Sequence, residues 1–579
     1  MSNHSRRKFV KNLGLAATAM GGIVLDTAQA AAKDRNTPEP AGATGRAEAK
    51  AGIHCDLMVY GGTSAGVIAA YTAKMYGLHV ILVEAGRHRG GLSSGGLGAT
   101  DTGGHQMAIT GLAKDFYLKA GQHYGHSKPL YRFEPHVAEN IFNQYVNEAG
   151  IEVFYSRRVQ KVATRGKKIR KVILEYTGDP TRTLEVEADQ YIDASYEGDL
   201  MAKAGVSYSV GRESNETYSE LFNGVILSRV AGPYPGPVKR TSEWPVKVDP
   251  FVQPGKPSSG LLPEINGIAD RKTGSGDDSV QAYCFRLCLT QEKDNWLPLD
   301  EPANYDPYRY ELLARLLKKK PWKTLQNGFN IAKMPRGKTD WNNDGLAGMS
   351  SDYIGKNFKY PDAGYAERQR IWQDHVDYQK GLLWFIAHDK RVPEHLRKEM
   401  QSWGYCRDEF LDTQGWSPQL YIREARRMVS DFVMTEHECA GIKTVPDGIA
   451  YGIYPIDSHS CRRVVVEDHV ENEGNTFIRG IKPYPIAYRS LVPKREECTN
   501  LLVPACLSAS HSAFGSIRME PVFMCLGQAT GVAAHLALAS GQAVQDIDAH
   551  KIQKELADQP LAGKQVPRDY KDILTFKVP

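Results

Sequence analysis

The clearest hydrophobic pattern lies between residues 54 and 84. An apolar run at 54–60 predicts a buried strand, and helical periodicity then continues to Tyr76, where Gly77 ends the helix. A second apolar run at 79–83 predicts the next strand. Strand, helix and strand within roughly thirty residues are typical of a parallel βαβ unit.

Shorter apolar runs follow between residues 151 and 192, separated by charged turns. They predict strands at 153–155, 159–162, 172–176, 184–188 and 191–192. Because only turns separate these runs, we interpret them as a β-meander inserted in a doubly wound sheet.

The remaining chain is mainly helical and returns to strand and helix near its end. Helical periodicity predicts helices at 310–319, 366–386 and 423–434, and the last apolar block predicts a strand at 500–505 and a helix at 520–540. We predict an α/β fold with a doubly wound, Rossmann-like domain that contains the β-meander and a helix-rich α+β substrate or cap domain. The first domain is discontinuous, at 51–205 and 485–560, and the second is at 206–484.

Composition and charge exclude several classes of protein. The 579 residues are 41% hydrophobic and 24% charged, which is close to the globular average and excludes a mainly disordered chain. Of the net charge of +5, the first thirty residues contribute +3, so the remainder lacks the basic surface that a nucleic-acid-binding protein needs. Glycine is enriched between Gly61 and Gly125, which indicates backbone packed close to a ligand.

The first thirty residues have the pattern of an export signal. Arg6 and Arg7 precede a mildly apolar stretch at 13–25, and an Ala-Gln-Ala cleavage pattern follows at 28–30. This predicts a twin-arginine signal peptide at 1–30, a flexible linker at 31–50, the export machinery as a partner and a periplasmic location. The apolar stretch is shorter than the ~20 residues that span a bilayer, so no stable membrane span is predicted.

The turn after the first strand reads Gly61-Gly62-Thr63-Ser64-Ala65-Gly66. It has the spacing of a dinucleotide-binding turn, except that Thr63 replaces the middle glycine. The helix that follows would offer unpaired N–H groups and the positive end of its dipole to a pyrophosphate. Glu84, at the end of the second strand, is placed to accept hydrogen bonds from a ribose diol.

Two further stretches bear on ligand binding. The loop Gly90–Gly98 contains more glycine than stability alone would favour, which predicts a ligand against it. Residues 340–345 resemble the start of a calcium-binding loop, but its twelfth position is Ser351, where a bidentate Glu is required. The nine cysteines lack the spacing of a zinc site. We therefore predict no metal site.

Together these motifs resemble the FAD-dependent oxidoreductase family with the glutathione-reductase-like fold, over roughly residues 52–540. The resemblance implies FAD as the cofactor. It implies that FAD is bound by Gly61, Gly62, Thr63, Ser64, Ala65, Gly66, Glu84, Ala85, Gly90, Gly91, Leu92, Ser93, Val159, Asp193, Ala194, Ser195, Gly527, Gln528 and Ala529. Of these, Gly527, Gln528 and Ala529 would form the helix N-terminus beneath the flavin pyrimidine edge, and Val159 would lie beside the adenine.

The predicted catalytic residues lie just before this helix and in the region that would return over the flavin. His511 is the first candidate for a general base, with a hydrogen bond to the flavin or to a carbonyl as its alternative. Arg518 could bind a substrate anion, support reduced flavin or form an ion pair. His459 and Arg489 are further candidates for substrate contacts. Arg423, Arg426 and Arg427 are expected on one helix face, where one of them could meet FAD or substrate.

These expectations describe an FAD-dependent oxidoreductase that transfers hydride between a small polar organic substrate and flavin N5, with oxidation of a C–OH or C–N bond. The electron acceptor would be a quinone, a carrier protein or O₂. Two alternatives remain open. One is a fumarate-reductase-like flavin reductase of an activated alkene, and the other is a non-catalytic flavoprotein that carries electrons.

Overall fold

The predicted βαβ unit is present near the start of the folded chain. Strand β1 (Ile53–Tyr60) leads into helix α1 (Ser64–Met75), and strand β2 (Val80–Val83) pairs with β1 in parallel. Both strands are largely buried and apolar, as expected for the interior of a parallel sheet. This confirms the interpretation of residues 54–84.

A computed structural model describes residues 52–227, 238–239, 244–344, 347–566 and 574. The predicted signal peptide and linker lie outside these residues, and so does Gly345 of the calcium-loop-like stretch. The described residues from Gly52 onward belong to one compact unit, so the predicted boundary between two domains stays a prediction.

The helices after α1 are distributed along the whole described chain. They are α2 (Gly111–His123), α3 (Pro135–Ala149), α4 (Asp199–Lys203), α5 (Asn215–Tyr218), α6 (Glu311–Lys319), α7 (Tyr365–His388), α8 (Glu394–Gln401), α9 (Glu436–Cys439), α10 (His511–Ile517), α11 (Glu520–Ser540) and α12 (Ala549–Asp558). The predicted helices at 310–319, 366–386 and 520–540 are confirmed. The helix predicted at 423–434 is wrong, because residues 422–426 are irregular and are followed by a two-residue strand.

The strands after β2 belong to several sheets. They are β3 (Glu152–Phe154), β4 (Arg157–Arg165), β5 (Lys168–Tyr176), β6 (Asp179–Asp193), β7 (Tyr208–Ser209), β8 (Val238–Lys239), β9 (Leu287–Thr290), β10 (Trp296–Leu297), β11 (Phe329–Lys333), β12 (Lys338–Asn343), β13 (Gly404–Cys406), β14 (Arg427–Met428), β15 (Gly448–Gly452), β16 (Ile456–Ser458), β17 (Arg462–Val466), β18 (His469–Glu473), β19 (Thr476–Ile478), β20 (Tyr484–Ala487) and β21 (Leu501–Leu502).

The largest sheet in the described chain has seven strands and is mixed. Its order is β3-β2-β1-β6-β5-β4, with β21 also paired to β6. The pairs among β3, β2, β1, β6 and β21 are parallel, whereas β4, β5 and β6 form an antiparallel meander. The strands predicted at 184–188 and 191–192 are one continuous strand, since exposed Asp189 interrupts the apolar pattern but not the backbone pairing. The protein therefore has a mixed α/β fold.

A second sheet lies in the middle of the chain. Its five antiparallel strands in the described residues have the order β10-β13-β9-β12-β11. Helix α7 packs beside it, where Gln379 accepts a hydrogen bond from the Phe285 amide (2.7 Å) and donates one to the Phe285 carbonyl (2.8 Å). Asp340 lies in β12 of this sheet and Arg286 directly precedes β9, and both belong to the site described below.

Helix α11 packs against α1. A Cβ on Gly527 would lie 2.3 Å from the Ala65 carbonyl oxygen, and one on Gly531 would lie 2.7 Å from that of Ala69. Helix α11 is long and apolar enough to cross a membrane, but 78% of its most apolar 18-residue stretch is buried inside the protein. Burial against α1 explains its apolar composition without a membrane.

Candidate active site

The turn after β1 fits tightly against the end of β6. Gly61 has φ of +98°, and a Cβ there would lie 2.7 Å from the Ser195 amide nitrogen. A Cβ on Gly66 would lie 1.8 Å from the Gly61 carbonyl oxygen. Side chains are excluded at both positions, so the two outer glycines of the motif are required by close packing.

Thr63 occupies the middle position of the motif because its side chain joins two turns. Its Oγ1 accepts a hydrogen bond from the Gly66 amide (3.2 Å) and donates one to the Ala194 carbonyl (2.8 Å). Thr63 is thus the N-cap of α1. Within the described residues, the amides of Ser64 and Ala65 have no acceptor, so the helix N-terminus retains free donors for an anion.

Glu84 lies beside this turn, as predicted. Its carboxylate accepts hydrogen bonds from the amides of Gly62 (2.6 Å) and Gly86 (2.5 Å). Each carboxylate oxygen retains acceptor capacity that a ribose diol could use. Ala85 follows it as an exposed residue.

The Gly90–Gly98 segment, which we call the glycine loop, connects this turn to the middle of the molecule. At its start, the Gly90 amide donates to the Gly62 carbonyl (2.7 Å). Further along, Ser93 Oγ donates to Glu520 Oε2 (2.7 Å), and the Leu92 amide donates to Tyr196 Oη (2.9 Å). These contacts join the loop to the first turn of α11 and to the chain after β6.

The same loop reaches the second sheet at its other end. A Cβ on Gly96 would lie 2.2 Å from the Arg286 carbonyl oxygen. The Ala99 amide, just past the loop, donates to Asp340 Oδ2 (3.0 Å). The glycine loop therefore extends from the phosphate-type turn to Arg286 and Asp340.

The structure brings Asp193, Ala194 and Ser195 to the turn but gives them mainly supporting contacts. Asp193 accepts hydrogen bonds from Ser195 Oγ (2.6 Å) and from the amide of Met201 (2.8 Å). Burial raises the pKa of Asp193 to about 6, although these hydrogen bonds oppose the increase. The Val159 carbonyl accepts a hydrogen bond from Tyr365 (2.7 Å), and its place beside the adenine stays a prediction.

The prediction for Gly527, Gln528 and Ala529 is wrong in one respect. Helix α11 begins at Glu520, so these residues lie two turns inside it and not at its N-terminus. Gly527 packs on Ala65, as described above, and Gln528 accepts a hydrogen bond from the Leu112 amide (2.9 Å). Their role in this structure is helix packing.

Three buried arginines, Arg286, Arg423 and Arg518, lie beyond the glycine loop, and we call them the arginine cluster. The guanidinium carbon of Arg286 lies 5.5 Å from the Tyr421 ring centroid, and that of Arg423 lies 4.8 Å from it. Burial raises the pKa of Tyr421, and the positive charges of Arg518, Arg286 and Arg423 oppose that increase. Tyr421 therefore lies among all three guanidinium groups.

Each arginine of the cluster is held by a different aspartate. Arg286 binds Asp340 through Nε and Nη2, Arg423 pairs with Asp352 at 3.0 Å, and Arg518 Nη2 lies 3.3 Å from Asp457. This pairing of Asp340 leaves the calcium-loop interpretation without its first ligand, and the residues up to Asn343 form a strand. The aspartates fix the orientation of the guanidinium groups.

His459 is the titratable imidazole beside this cluster. Its Nδ1 lies 2.7 Å from Asp352 Oδ2, and its Nε2 lies 3.6 Å from Asp457 Oδ2. Burial alone would raise the pKa of Asp352, but the charges of Arg423 and His459 hold it below its ordinary value. Asp352 and the His459 ring nitrogen Nδ1 are therefore within hydrogen-bond distance, whereas Nε2 lies farther from Asp457.

His511, the first candidate for the general base, has protein groups at both ring nitrogens, and its catalytic role stays a prediction. It is 1% exposed, its Nδ1 lies 2.8 Å from Glu424 Oε2, and its Nε2 lies 3.0 Å from Ser458 Oγ. Ser458 is the last residue of β16, which also carries Asp457. His511 therefore contacts the strand that carries Asp457.

Arg489 lies outside the site. It is exposed and pairs with Asp447 through Nε (3.0 Å), and its guanidinium carbon lies 4.3 Å from the Phe432 ring centroid. Arg426 and Arg427 are also separated from the cluster by their own partners, Asp199 (2.8 Å) and Glu213 (2.7 Å). Without a helix there, the expected shared arginine face does not exist.

Sequence reasoning missed Arg286, Asp352 and Tyr421. Arg286 precedes an ordinary apolar strand, and its partner Asp340 is far away in the chain. Asp352 follows the calcium-loop-like stretch without a motif of its own. A single sequence contains no signal that joins these positions, because their proximity depends on the tertiary fold.

A family model described as FAD dependent oxidoreductase matches residues 56–556. This chain belongs to that family. The protein is therefore an FAD-dependent oxidoreductase, and the match includes both the N-terminal turn and the Glu520 end of the glycine-loop contacts.

Several solved flavoprotein structures are similar to a smaller part of the chain. A myxobacterial chondrochloren halogenase is 18% identical, with 28% of this chain and 41% of that chain covered and a TM-score of 0.22. The p-nitrophenol 4-monooxygenase of Pseudomonas putida is 14% identical, with 28% of this chain and 45% of that chain covered and a TM-score of 0.21. A flavoprotein/dehydrogenase of Cytophaga hutchinsonii is 18% identical, with 27% of this chain and 42% of that chain covered and a TM-score of 0.21. The matches span less than half of each of these three chains. No curated protein matches the sequence.

The residues of this FAD-dependent oxidoreductase fit the cofactor at the end where its phosphates would bind. The free amides of Ser64 and Ala65 suit the pyrophosphate, and Glu84 suits the ribose. The glycine loop offers backbone without side chains in the direction of the arginine cluster. These features fit the phosphate and ribose contacts that the sequence predicts at the N-terminal turn.

Proposed function

We propose that this FAD-dependent oxidoreductase dehydrogenates a small polar organic substrate at a C–OH or C–N bond, beside the arginine cluster and His459. The observation that supports this most strongly is the path of the glycine loop. It starts at the Gly62 carbonyl and ends at the Arg286 carbonyl, so a cofactor bound at the turn has a route to the arginines. When bound, FAD supplies the hydride acceptor.

In this proposal His459 takes the proton of the substrate hydroxyl or amine. The proposal uses Nε2 as the accepting ring nitrogen, and Asp352 on Nδ1 orients the ring and stabilises the imidazolium that forms. Asp457, 3.6 Å from Nε2, adds a second negative charge beside that cation. The arginine cluster orients the substrate, and burial of Arg423 limits access of water.

Substitution of His459 tests this role. We expect His459→Gln to slow anaerobic bleaching of the flavin by its substrate about 10²- to 10⁴-fold, the range for loss of a general base, with FAD occupancy unchanged. A panel of polyols, sugars, amines and hydroxy acids identifies the substrate first. The matched control is His550→Gln at an exposed position of α12, which should keep the wild-type rate. Equal bleaching rates in all three proteins would remove His459 as the base.

The two alternatives predict different results in the same anaerobic bleaching experiment. A reductase of an activated alkene would not be bleached by the panel, but an enoate would reoxidise the dithionite-reduced protein. A flavoprotein without turnover would respond to neither. The arginine cluster and His459 favour a substrate site over the electron-carrier alternative, since an electron carrier needs no such buried polar group.

The organisation of the longer chain is part of the proposal. Residues 51–205 and 485–560 would form the doubly wound FAD-binding domain, and the pairing of β21 with β6 supports a sheet built from both ranges. Residues 206–484, which carry Arg286 and His459, would form the substrate domain. We further propose export by the twin-arginine route and transfer of electrons to a quinone, a carrier protein or O₂, on the basis of the signal-like pattern at residues 1–30.

A further inference from the structure

The arginine cluster contains hydrogen-bond donors that the described protein does not satisfy. Arg286, Arg423 and Arg518 are 5%, 2% and 5% exposed. Within the described residues, the Nε–H groups of Arg423 and Arg518 are buried and have no acceptor. Arg518 binds Asp457 through Nη2 alone. Two guanidinium groups that are more than nine-tenths buried therefore retain unused donors.

Unsatisfied donors of this kind indicate an absent acceptor. A buried polar group without a partner is costly, and folded proteins retain few of them outside functional sites. A guanidinium group prefers anionic oxygens, and a carboxylate matches its planar geometry. The aspartates already present are each used by one arginine, as described above. They position the donors but leave these Nε–H groups free.

The cofactor phosphates do not explain these donors. The free amides that suit a pyrophosphate lie at Ser64 and Ala65, at the opposite end of the glycine loop from Arg286. Asp101, the other acidic side chain near Arg286 and Arg518, has its pKa raised by burial, and the charges of these two arginines oppose the increase. A second anion, distinct from the cofactor phosphates, would complete the cluster.

We propose that the arginine cluster binds the carboxylate of the substrate, so that the protein oxidises a small organic acid bearing a hydroxyl or amino group. This inference rests on the proposed function. His459 Nε2 would take the proton of the substrate O–H or N–H, and the hydride of the broken C–H bond, with both electrons, would be accepted by bound FAD. The product would be the corresponding oxo or imino acid.

The experiment compares acids with their amides. A panel of 2-hydroxy and 2-amino carboxylates, each paired with its neutral amide (lactate with lactamide, for example), is added to oxidised holoenzyme. Binding is followed by the change in the flavin visible spectrum and by thermal shift, and oxidation by anaerobic bleaching. We expect carboxylates to bind and bleach, and their amides to bind at least about tenfold more weakly, as loss of a charged hydrogen bond predicts.

Variants test which residues are responsible. Arg518→Met and Arg423→Met should weaken carboxylate binding at least about tenfold, and Arg518→Lys should restore part of it because the charge is kept. Arg489→Met, at the exposed arginine outside the site, is the matched control and should bind as the wild type does. If Arg423→Met fails to fold, the Arg518→Met and Arg518→Lys pair still decides the result.

The outcomes separate this inference from the proposed function. Bleaching by acid and amide alike would overturn carboxylate recognition and leave the dehydrogenase proposal intact. Carboxylate binding that depends on Arg518 but gives no bleaching would support the anion site and contradict oxidation of this substrate class. Absence of carboxylate binding by both the spectrum and the thermal shift would overturn the inference.

Discussion

At the scale of single residues, Thr63 shows how one hydroxyl group can replace a glycine in a nucleotide-binding turn. Thr63→Ala removes both the N-cap acceptor and the donor to Ala194, so we expect a loss of about 1 kcal/mol in the free energy of unfolding and weaker retention of FAD. Urea unfolding and the flavin content after gel filtration measure these effects. Thr63→Ser keeps the hydroxyl and should match the wild type, and a Ser variant as weak as the Ala variant would contradict this role.

Glu220 gives a prediction for pH. Burial raises its pKa from 4.5 to about 7, so the folded protein keeps a proton that the unfolded chain releases between these values. The free energy of unfolding from this group therefore falls as the pH rises from about 4.5 to 7, by roughly 3 kcal/mol. Glu220→Gln removes the titrating group and keeps an oxygen to accept from Ser510 Oγ and the Glu436 amide.

The measurement is urea unfolding of both proteins at pH 5 and pH 8. The free energy of unfolding of Glu220→Gln minus that of the wild type should be larger at pH 8 than at pH 5. A difference between the two proteins that is the same at both pH values would show that Glu220 is ionised in the folded protein throughout this range.

At the scale of elements, the contact between α11 and α1 is limited by backbone distance. Gly527→Val would place Cβ 2.3 Å from the Ala65 carbonyl oxygen, so we expect a loss of about 1–3 kcal/mol and reduced FAD retention, since Ala65 belongs to the phosphate-type turn. Ala539→Val, at an exposed position of the same helix, carries the same β-branch and should cost less than about 1 kcal/mol. Similar losses in both variants would mean that helix propensity, and not packing, determines the result.

Elements were predictable from sequence where the pattern was local. The βαβ unit and α11 have continuous apolar patterns, so their periodicity predicted them. The helix expected at 423–434 failed because Arg423, Arg426 and Arg427 bind different acidic partners on separate parts of the fold. Tertiary ion pairs there determine the backbone, and one sequence does not reveal them.

The candidate site was likewise predictable where its motif is local in sequence and not where it depends on tertiary contacts. The phosphate-type turn was predictable because close packing requires glycine at fixed spacing. The substrate end that we propose includes the predicted residues His459 and Arg518, whereas His511 is buried against Glu424 and Arg489 is exposed beside Asp447. Sequence order placed His511 near the flavin, but its buried contact with Glu424 depends on a segment distant in the chain.

At the scale of the whole molecule, we expect stability to be independent of disulfide bonds. All nine cysteines are free and buried, and the nearest Sγ pair described, Cys288 and Cys406, is 3.5 Å apart. We expect the same urea midpoint with and without dithiothreitol. A lower midpoint in the reductant would contradict this, and peptide mapping of Cys288 and Cys406 would then locate the bond.

The pairing of β21 with β6, and the hydrogen bond from Ser93 to Glu520, have a consequence for biosynthesis. A ribosome that has just completed the N-terminal glycine motif must add several hundred residues before the segments that finish the sheet emerge. At about 5–20 residues per second this takes on the order of half a minute or longer. Stable capture of the flavin nucleotide is therefore a late event, after nearly all of the polypeptide has been translated.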